Sequence, residues 1–233
     1  MASPDYKNAL VVGAGRGLSA SLTRLLRREG LAVTVAARDT AKLDSLCKKT
    51  GARAIRCDAQ DEAQVAQLFN EMDRQGGPAD VVVYNASVRA RGALVELSPT
   101  DAQQSLLVTA YGAFLVAQQA ARRMLPKGYG AIFFTGASAS VKGYAKSAPF
   151  AMGKFAVRGL AQSMARELAP QGIHVAHFVI DGAIRPPGHT GDPARPDSML
   201  DPDAIASTYL NILRQPRSAW TWEVELRPWV ETF

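Results

Sequence analysis

Gly13-Ala14-Gly15-Arg16-Gly17-Leu18-Ser19 is the stretch of this 233-residue chain whose residue types most clearly imply chemistry. Small residues at that spacing let a backbone approach a pyrophosphate, and a helix starting there adds amide donors and a positive field. Arg16 lies inside the turn. Arg38 lies farther along, just after a second apolar run that ends in Ala37. NAD-selective sites usually place an acidic residue near that point to accept from the ribose hydroxyls, and the position just before Arg38 is Ala37, not Asp or Glu. Two guanidinium groups instead suit the 2′-phosphate of NADP(H), which they can clamp by charge-assisted bonds. The pattern therefore favours NADP(H) over NAD(H).

A turn of this kind works only between a strand and a helix, and the surrounding pattern supplies both. Short apolar runs occur at 10–12, 31–37, 52–57, 80–84, 131–135 and 174–180, with a last candidate at 222–226. They are rich in β-branched and aromatic residues, as buried parallel strands are. Helical patterns fill the gaps at 17–29, 40–50, 61–74, 99–125, 149–169 and 202–214. Ser98-Pro99 can cap and begin the fourth of these, and Pro126 follows its end. Alternating strand and helix predict a single α/β domain over 1–233, a Rossmann-type doubly wound parallel sheet of about seven strands with helices on both faces. The Pro/Gly-rich loop at 185–200 follows the sixth strand, where such sheets bind ligands; it is read as a candidate substrate lid, with a surface linker as the alternative.

Composition narrows the function further. The net charge is +6, but the basic residues are spread along the chain without a recognition motif, so nucleic-acid binding is not expected. No apolar run is long enough to span a membrane, and the first residues lack a secretory signal. Cys47 and Cys57 read as ordinary thiols of a reducing cytoplasm. His174 and His177 fall three apart on a strand and point to opposite faces, which argues against a shared metal. No metal site is expected, and a small molecule is the expected partner. His189 is the histidine of the candidate lid.

With these segments in view, the chain resembles a classical-type short-chain dehydrogenase/reductase over nearly its whole length. The resemblance implies that Gly13, Gly15, Arg16, Gly17 and Leu18 form the cofactor turn, with Ser19 where the family has a third glycine. It implies that Asp58 contacts the adenine, although a residue there also suits a helix cap. Tyr84-Asn85-Ala86-Ser87 resembles the family's Asn-Asn-Ala-Gly segment, so Asn85 steadies the sheet and, with Ala86, approaches the cofactor. Asp181-Gly182-Ala183-Ile184 resembles the Pro-Gly segment whose backbone meets the nicotinamide amide. Gly182 and Ile184 take that role, and Asp181 stands where the family has proline.

The catalytic set implied by the resemblance is half present. Ser138 lies near the spacing of the family's serine, with Ser140 as the other choice. Lys154 matches the lysine that binds the nicotinamide ribose and lowers the acid's pKa. The tyrosine four residues before it is replaced by Phe150, and Thr109 stands where a helix asparagine holds a relay water. Phe133-Phe134-Thr135-Gly136-Ala137-Ser138, Ala165-Arg166-Glu167-Leu168-Ala169-Pro170 and His174-Val175-Ala176-His177 also resemble a bacterial subgroup whose members often carry this phenylalanine. A phenyl ring neither gives nor takes a proton. Ser138 can hydrogen-bond a developing alkoxide but is a poor acid, so the proton must come through Lys154 and water, or from Tyr144. The expected function is an NADP(H)-dependent oxidoreductase with an altered proton path, acting on a carbonyl/alcohol pair or a conjugated C=C bond. The alternative is a non-catalytic NADP(H)-binding redox sensor or scaffold. A homodimer or homotetramer is expected because helices 99–125 and 149–169 carry Ala110, Ala113, Ala117, Ala120, Ala156 and Ala161, and related proteins often pair these helices.

Overall fold

A computed structural model describes residues 4–191 and 193–231; the terminal residues of the 1–233 domain and residue 192 of the 185–200 loop lie outside the described residues. Its strands are β1 (Asn8–Val12), β2 (Ala32–Ala37), β3 (Arg53–Arg56), β4 (Val81–Tyr84), β5 (Gly130–Thr135), β6 (Ile173–Ile180) and β7 (Glu223–Leu226). They form one seven-stranded sheet in the order β3-β2-β1-β4-β5-β6-β7. Every pairing is parallel. The chain runs outward from β1 to β3, then returns to place β4 on the other side of β1. That reversal opens a crevice at the carboxyl ends of β1 and β4, where doubly wound sheets take ligands.

The strands are apolar because both faces are covered. Along β6, Ala176, Phe178 and Ile180 join the core beneath α1 (Leu18–Arg28) and α7 (Pro202–Leu213), against which Cys47 of α2 (Asp44–Thr50) also packs. Ile173 and Val175 join the opposite core beneath α3 (Glu62–Gln75), α5 (Gly112–Met124) and α6 (Ala148–Leu168). The two histidines follow the same alternation. His174 stacks on Trp220 at 4.5 Å on one side, whereas His177 meets Glu223 at 3.0 Å on the other. Burial lowers each to about pKa 4.

The continuous helix expected at 99–125 is divided. α4 (Pro99–Leu106) begins with Ser98, whose hydroxyl accepts from Asp101 N at 3.4 Å. A π-helical turn spans Leu107–Tyr111 before α5 resumes. Two contacts from the β4 side hold this turn: the Tyr84 hydroxyl donates to Val108 O, and Val88 N donates to Thr109 Oγ1 at 3.2 Å. A single widened turn shifts the helical phase by only about one residue, too small a mark to be read from the apolar pattern. The alanines expected at an intersubunit surface mostly face inward. Ala113, Ala117, Ala120 and Ala161 are buried against the sheet, while the exposed apolar groups of these helices are Tyr111, Phe114, Met152 and Phe155.

Candidate active site

The end of the site at the glycine-rich turn is built by close backbone approach. Gly13 has φ +81°, and a Cβ there would overlap the backbone of Ala86. Only glycine suits both demands. Asn85 ties the same corner: its amide nitrogen donates to Val12 O at 2.8 Å, and its side chain donates to Gly13 O at 3.2 Å. Ser19 does more than fit where a glycine was expected, since its hydroxyl accepts from Gly15 N at 2.8 Å and closes the turn. Cβ atoms at Gly15 and Gly17 would point into open space, and α1 starts after Gly17 without a side-chain cap. The turn thus presents bare backbone and helix amides toward the crevice.

Two connected recesses extend from this corner. One, of about 220 Å³, is lined by Ala37, Arg38, Lys42, Asp58, Asn85 and Ala86. Arg38 lies there with Lys42 rather than with Arg16, which is exposed and lines neither recess. Asp58 accepts from Gln60 N at 3.3 Å, and the cap of α3 is Asp61, whose carboxylate accepts from Gln64 N at 3.0 Å. Asp58 is therefore no helix cap and faces the recess. The larger cleft, about 1200 Å³, runs from Gly15, Gly17 and Leu18 to Ser138, Phe150 and Lys154. Gly182 and Ile184 line it as well.

At the far end, Lys154 is buried and its Nζ donates to Thr135 O at 2.7 Å. Burial, helped by the charge of Arg89, brings its pKa down to about 7. The Phe150 ring is near two cations: the Arg89 guanidinium carbon is 4.4 Å from its centroid and Lys154 Nζ is 5.8 Å away. The Ser138 hydroxyl donates to the Asp181 carboxylate. Lys142 and Arg227 also reach that carboxylate, at 3.1 and 2.8 Å. Burial pushes Asp181 up, but these bonds and charges outweigh it and hold the group below the usual carboxylate range. Ser140 is fully buried, outside the cleft, and accepts from Ala137 N at 3.1 Å. Of the two serines, Ser138 is the one that faces the cleft.

Residues 7–187 match the short chain dehydrogenase family. The chain belongs to that family. It is 30% identical over 178 residues to the 3-oxoacyl-[acyl-carrier-protein] reductase MabA of Mycobacterium avium, covering 76% of this chain and 67% of the relative. It is similar to a solved short-chain dehydrogenase from Rhodopseudomonas palustris, with 33% identity, a TM-score of 0.84, and coverage of 97% of this chain and 100% of that one. A metagenomic short-chain oxidoreductase solved in complex with NADP is 25% identical, with a TM-score of 0.84 and coverage of 97% and 98%. The fold is thus that of nicotinamide-dependent oxidoreductases.

Within this short chain dehydrogenase fold, most residues singled out from the sequence line the two recesses. Thr109 does not: it sits behind them, where its hydroxyl is engaged by Val88 N. His189 is exposed and outside the cleft, and its Nδ1 accepts from Gly191 N at 2.9 Å. Pro186 and Pro187 of the same loop do line the cleft, and a parallel bridge between Ile184 and Leu200 closes the loop's neck. Sequence reasoning overlooked Lys42 and Arg89. A signal existed for Arg89: Val88-Arg89-Ala90-Arg91 follows the carboxyl end of β4, and loops there face ligands.

Proposed function

We propose that the chain is an NADP(H)-dependent oxidoreductase that handles the substrate proton without a tyrosine at the motif position. The observation that carries this reading is the placement of Lys154, with a pKa near 7, in the same cleft as Ser138 and the glycine turn. The residues fit the cofactor: bare backbone at Gly15 and Gly17 suits its pyrophosphate, and Asn85 and Ala86 border the path to the adenosine recess. There Arg38 and Lys42 suit a 2′-phosphate, with Asp58 toward the adenine. Gly182 and Ile184 would face the carboxamide of the nicotinamide. When bound, NADP(H) supplies or accepts the hydride.

The chain's own groups then manage the oxygen or carbon that gains a proton. Lys154 titrates near neutral pH, where a general acid is most effective. Phe150 excludes water from one wall and contributes no proton. Ser138 is oriented by Asp181 and offers its oxygen to the substrate side of the cleft. A second reading gives the proton to Tyr144, whose side chain lines the same cleft. The substrate is a carbonyl/alcohol pair or a conjugated C=C compound. The exposed Tyr111, Phe114, Met152 and Phe155 support a homodimer or homotetramer, since apolar groups on two neighbouring helices favour symmetric burial. Light scattering at micromolar concentration checks this, and a monomer rejects it.

The test of the function couples two measurements. An NADPH titration followed by fluorescence reads cofactor binding. NADPH oxidation against carbonyl and enoyl compounds reads turnover in wild type, Lys154→Met and Tyr144→Phe. Loss of turnover only in Lys154→Met supports the lysine path, and loss only in Tyr144→Phe supports the tyrosine. Tight NADPH binding without turnover would favour a non-catalytic sensor or scaffold.

A further inference from the structure

The substrate end of the cleft carries more positive charge than a nicotinamide cofactor needs there. Arg89, Arg91 and Lys146 line it, and among the described residues no Asp or Glu does. Among the described residues, none of the three has an ion-pair partner, whereas Arg185 on the same wall is paired with Asp201. Cations brought together without carboxylates repel one another, and burial together with Arg91 lowers the pKa of Arg89. A fold keeps such an arrangement more readily when an anion completes it.

The backbone that carries the three groups is also tied down, and one of the three side chains is fixed. Val88, one residue before Arg89, is clamped on both sides: its N–H donates to Thr109 Oγ1 at 3.2 Å, and its carbonyl accepts from Ser105 Oγ at 2.8 Å. Arg89 then lies over the Phe150 ring, which fixes the guanidinium plane without using its hydrogen-bond donors. Gly92 N donates to Lys146 O at 3.1 Å, tying the Arg89–Arg91 loop to the loop before α6. Lys146 itself has φ +60°, a left-handed conformation that lysine rarely adopts. Strain at a residue lining a cleft marks a position held for its side chain rather than for its backbone ease.

We propose that Arg89, Arg91 and Lys146 form an anion-binding subsite that selects substrates bearing a carboxylate or phosphate group a few bonds from the reacting carbon. This inference rests on the oxidoreductase reading for the word substrate. The subsite itself is made by this chain's residues alone. Phe150 then has a constructive part: it is the platform on which the anion-binding guanidinium lies. Arg89 is a binding residue in this scheme, while Ser105 and Thr109 are positioning residues that act through Val88.

The probes are 4-oxopentanoate, its neutral amide 4-oxopentanamide and inorganic phosphate. Each is titrated by calorimetry into the protein alone and into the protein with saturating NADP+. The wild type should bind the oxo acid about tenfold more tightly than the amide, as expected for one or two charge-assisted hydrogen bonds, and phosphate should compete with the acid. Arg89→Gln should reduce that preference to within about twofold. Lys146→Gly removes a charge while relieving the left-handed strain, so it should stay folded and lose part of the preference. Equal affinity for acid and amide in the wild type overturns the proposal, as does an undiminished preference in the Arg89→Gln, Lys146→Gly double variant. If NADP+ fails to bind, the oxidoreductase reading falls, but the acid preference of the protein alone still decides the subsite.

Discussion

The two ends of the cleft solve different problems with the same kind of residue. At the proposed adenosine end, Arg38 and Lys42 stand beside a backbone turn, where a charged group of fixed shape would only have to be held. At the reaction end, Arg89 and Lys154 lie near a phenyl ring, and one of the two cations is buried deeply enough to titrate near neutrality. Exposed cations recognise; a desolvated one can also exchange its proton. The contrast teaches that the charge count of a cleft says little until the burial of each charge is known.

The sharpest way to break this contrast is at the shared corner. Gly13→Val should lower NADPH affinity by about a hundredfold or more, because a side chain there displaces Ala86 and costs the turn at least two charge-assisted bonds. A fluorescence titration reads it, alongside circular dichroism for the fold. Next, Arg38→Asp should weaken NADPH by about thirtyfold while changing NADH much less, since a carboxylate repels a 2′-phosphate but accepts from ribose hydroxyls. Equal weakening of both would remove the phosphate from the adenosine end.

At the reaction end, Phe150→Tyr restores a hydroxyl near Arg89 and Lys154 with little change in size. It should raise carbonyl reduction about tenfold on at least one generic substrate, short of the full contribution of a general acid, because Thr109 is committed to Val88. Cofactor affinity should hardly change. The smallest effect is thermodynamic. The folded pKa of Lys154, about 7, lies below its ordinary value of 10.5. Between those values the unfolded chain binds the extra proton, so this group makes stability rise as pH increases across that window. Lys154→Met should therefore show its greatest relative stabilisation at or below pH 7, shrinking toward pH 10. Urea unfolding of both proteins across this range checks the sign.

The two ends also differ in how far they could be read beforehand. The adenosine end is local in sequence: Gly13 to Ser19, Ala37 and Arg38 each follow a strand whose apolar run is plain, so the residues announce their neighbours. Seven strands were legible for the same reason, within a residue or two at their ends, as were the helices apart from the one expected from residue 40, which starts at Asp44, and the divided segment 99–125. The reaction end depends on contacts between distant segments. Arg89 meets Phe150 only because Ser105 and Thr109 grip Val88, and that grip involves a π turn that apolar periodicity does not register. The role of Asp181 was hidden likewise. Its substitution for proline was visible, but its bonds with Ser138, Lys142 and Arg227 bring together residues 39 to 46 positions away. The inward turn of Ala113, Ala117, Ala120 and Ala161 was a matter of helix phase, which small residues scattered on both faces leave undetermined.

The bridge between Ile184 and Leu200 has a consequence for how such a protein diversifies. It pinches the loop at its neck, with Arg185 N donating to Leu200 O and Leu200 N to Ala183 O, both at 2.8 Å. Whatever lies beyond the pinch is insulated from β6 and α7, which keep their packing whichever loop is attached. Doubling the length of a flexible loop adds only about 0.6 kcal/mol of closure entropy. The segment between the pinch points is thus a cassette: it can be lengthened, shortened or transplanted from another protein, and the stretch of cleft wall made by Pro186 and Pro187 can be recast without rebuilding the sheet.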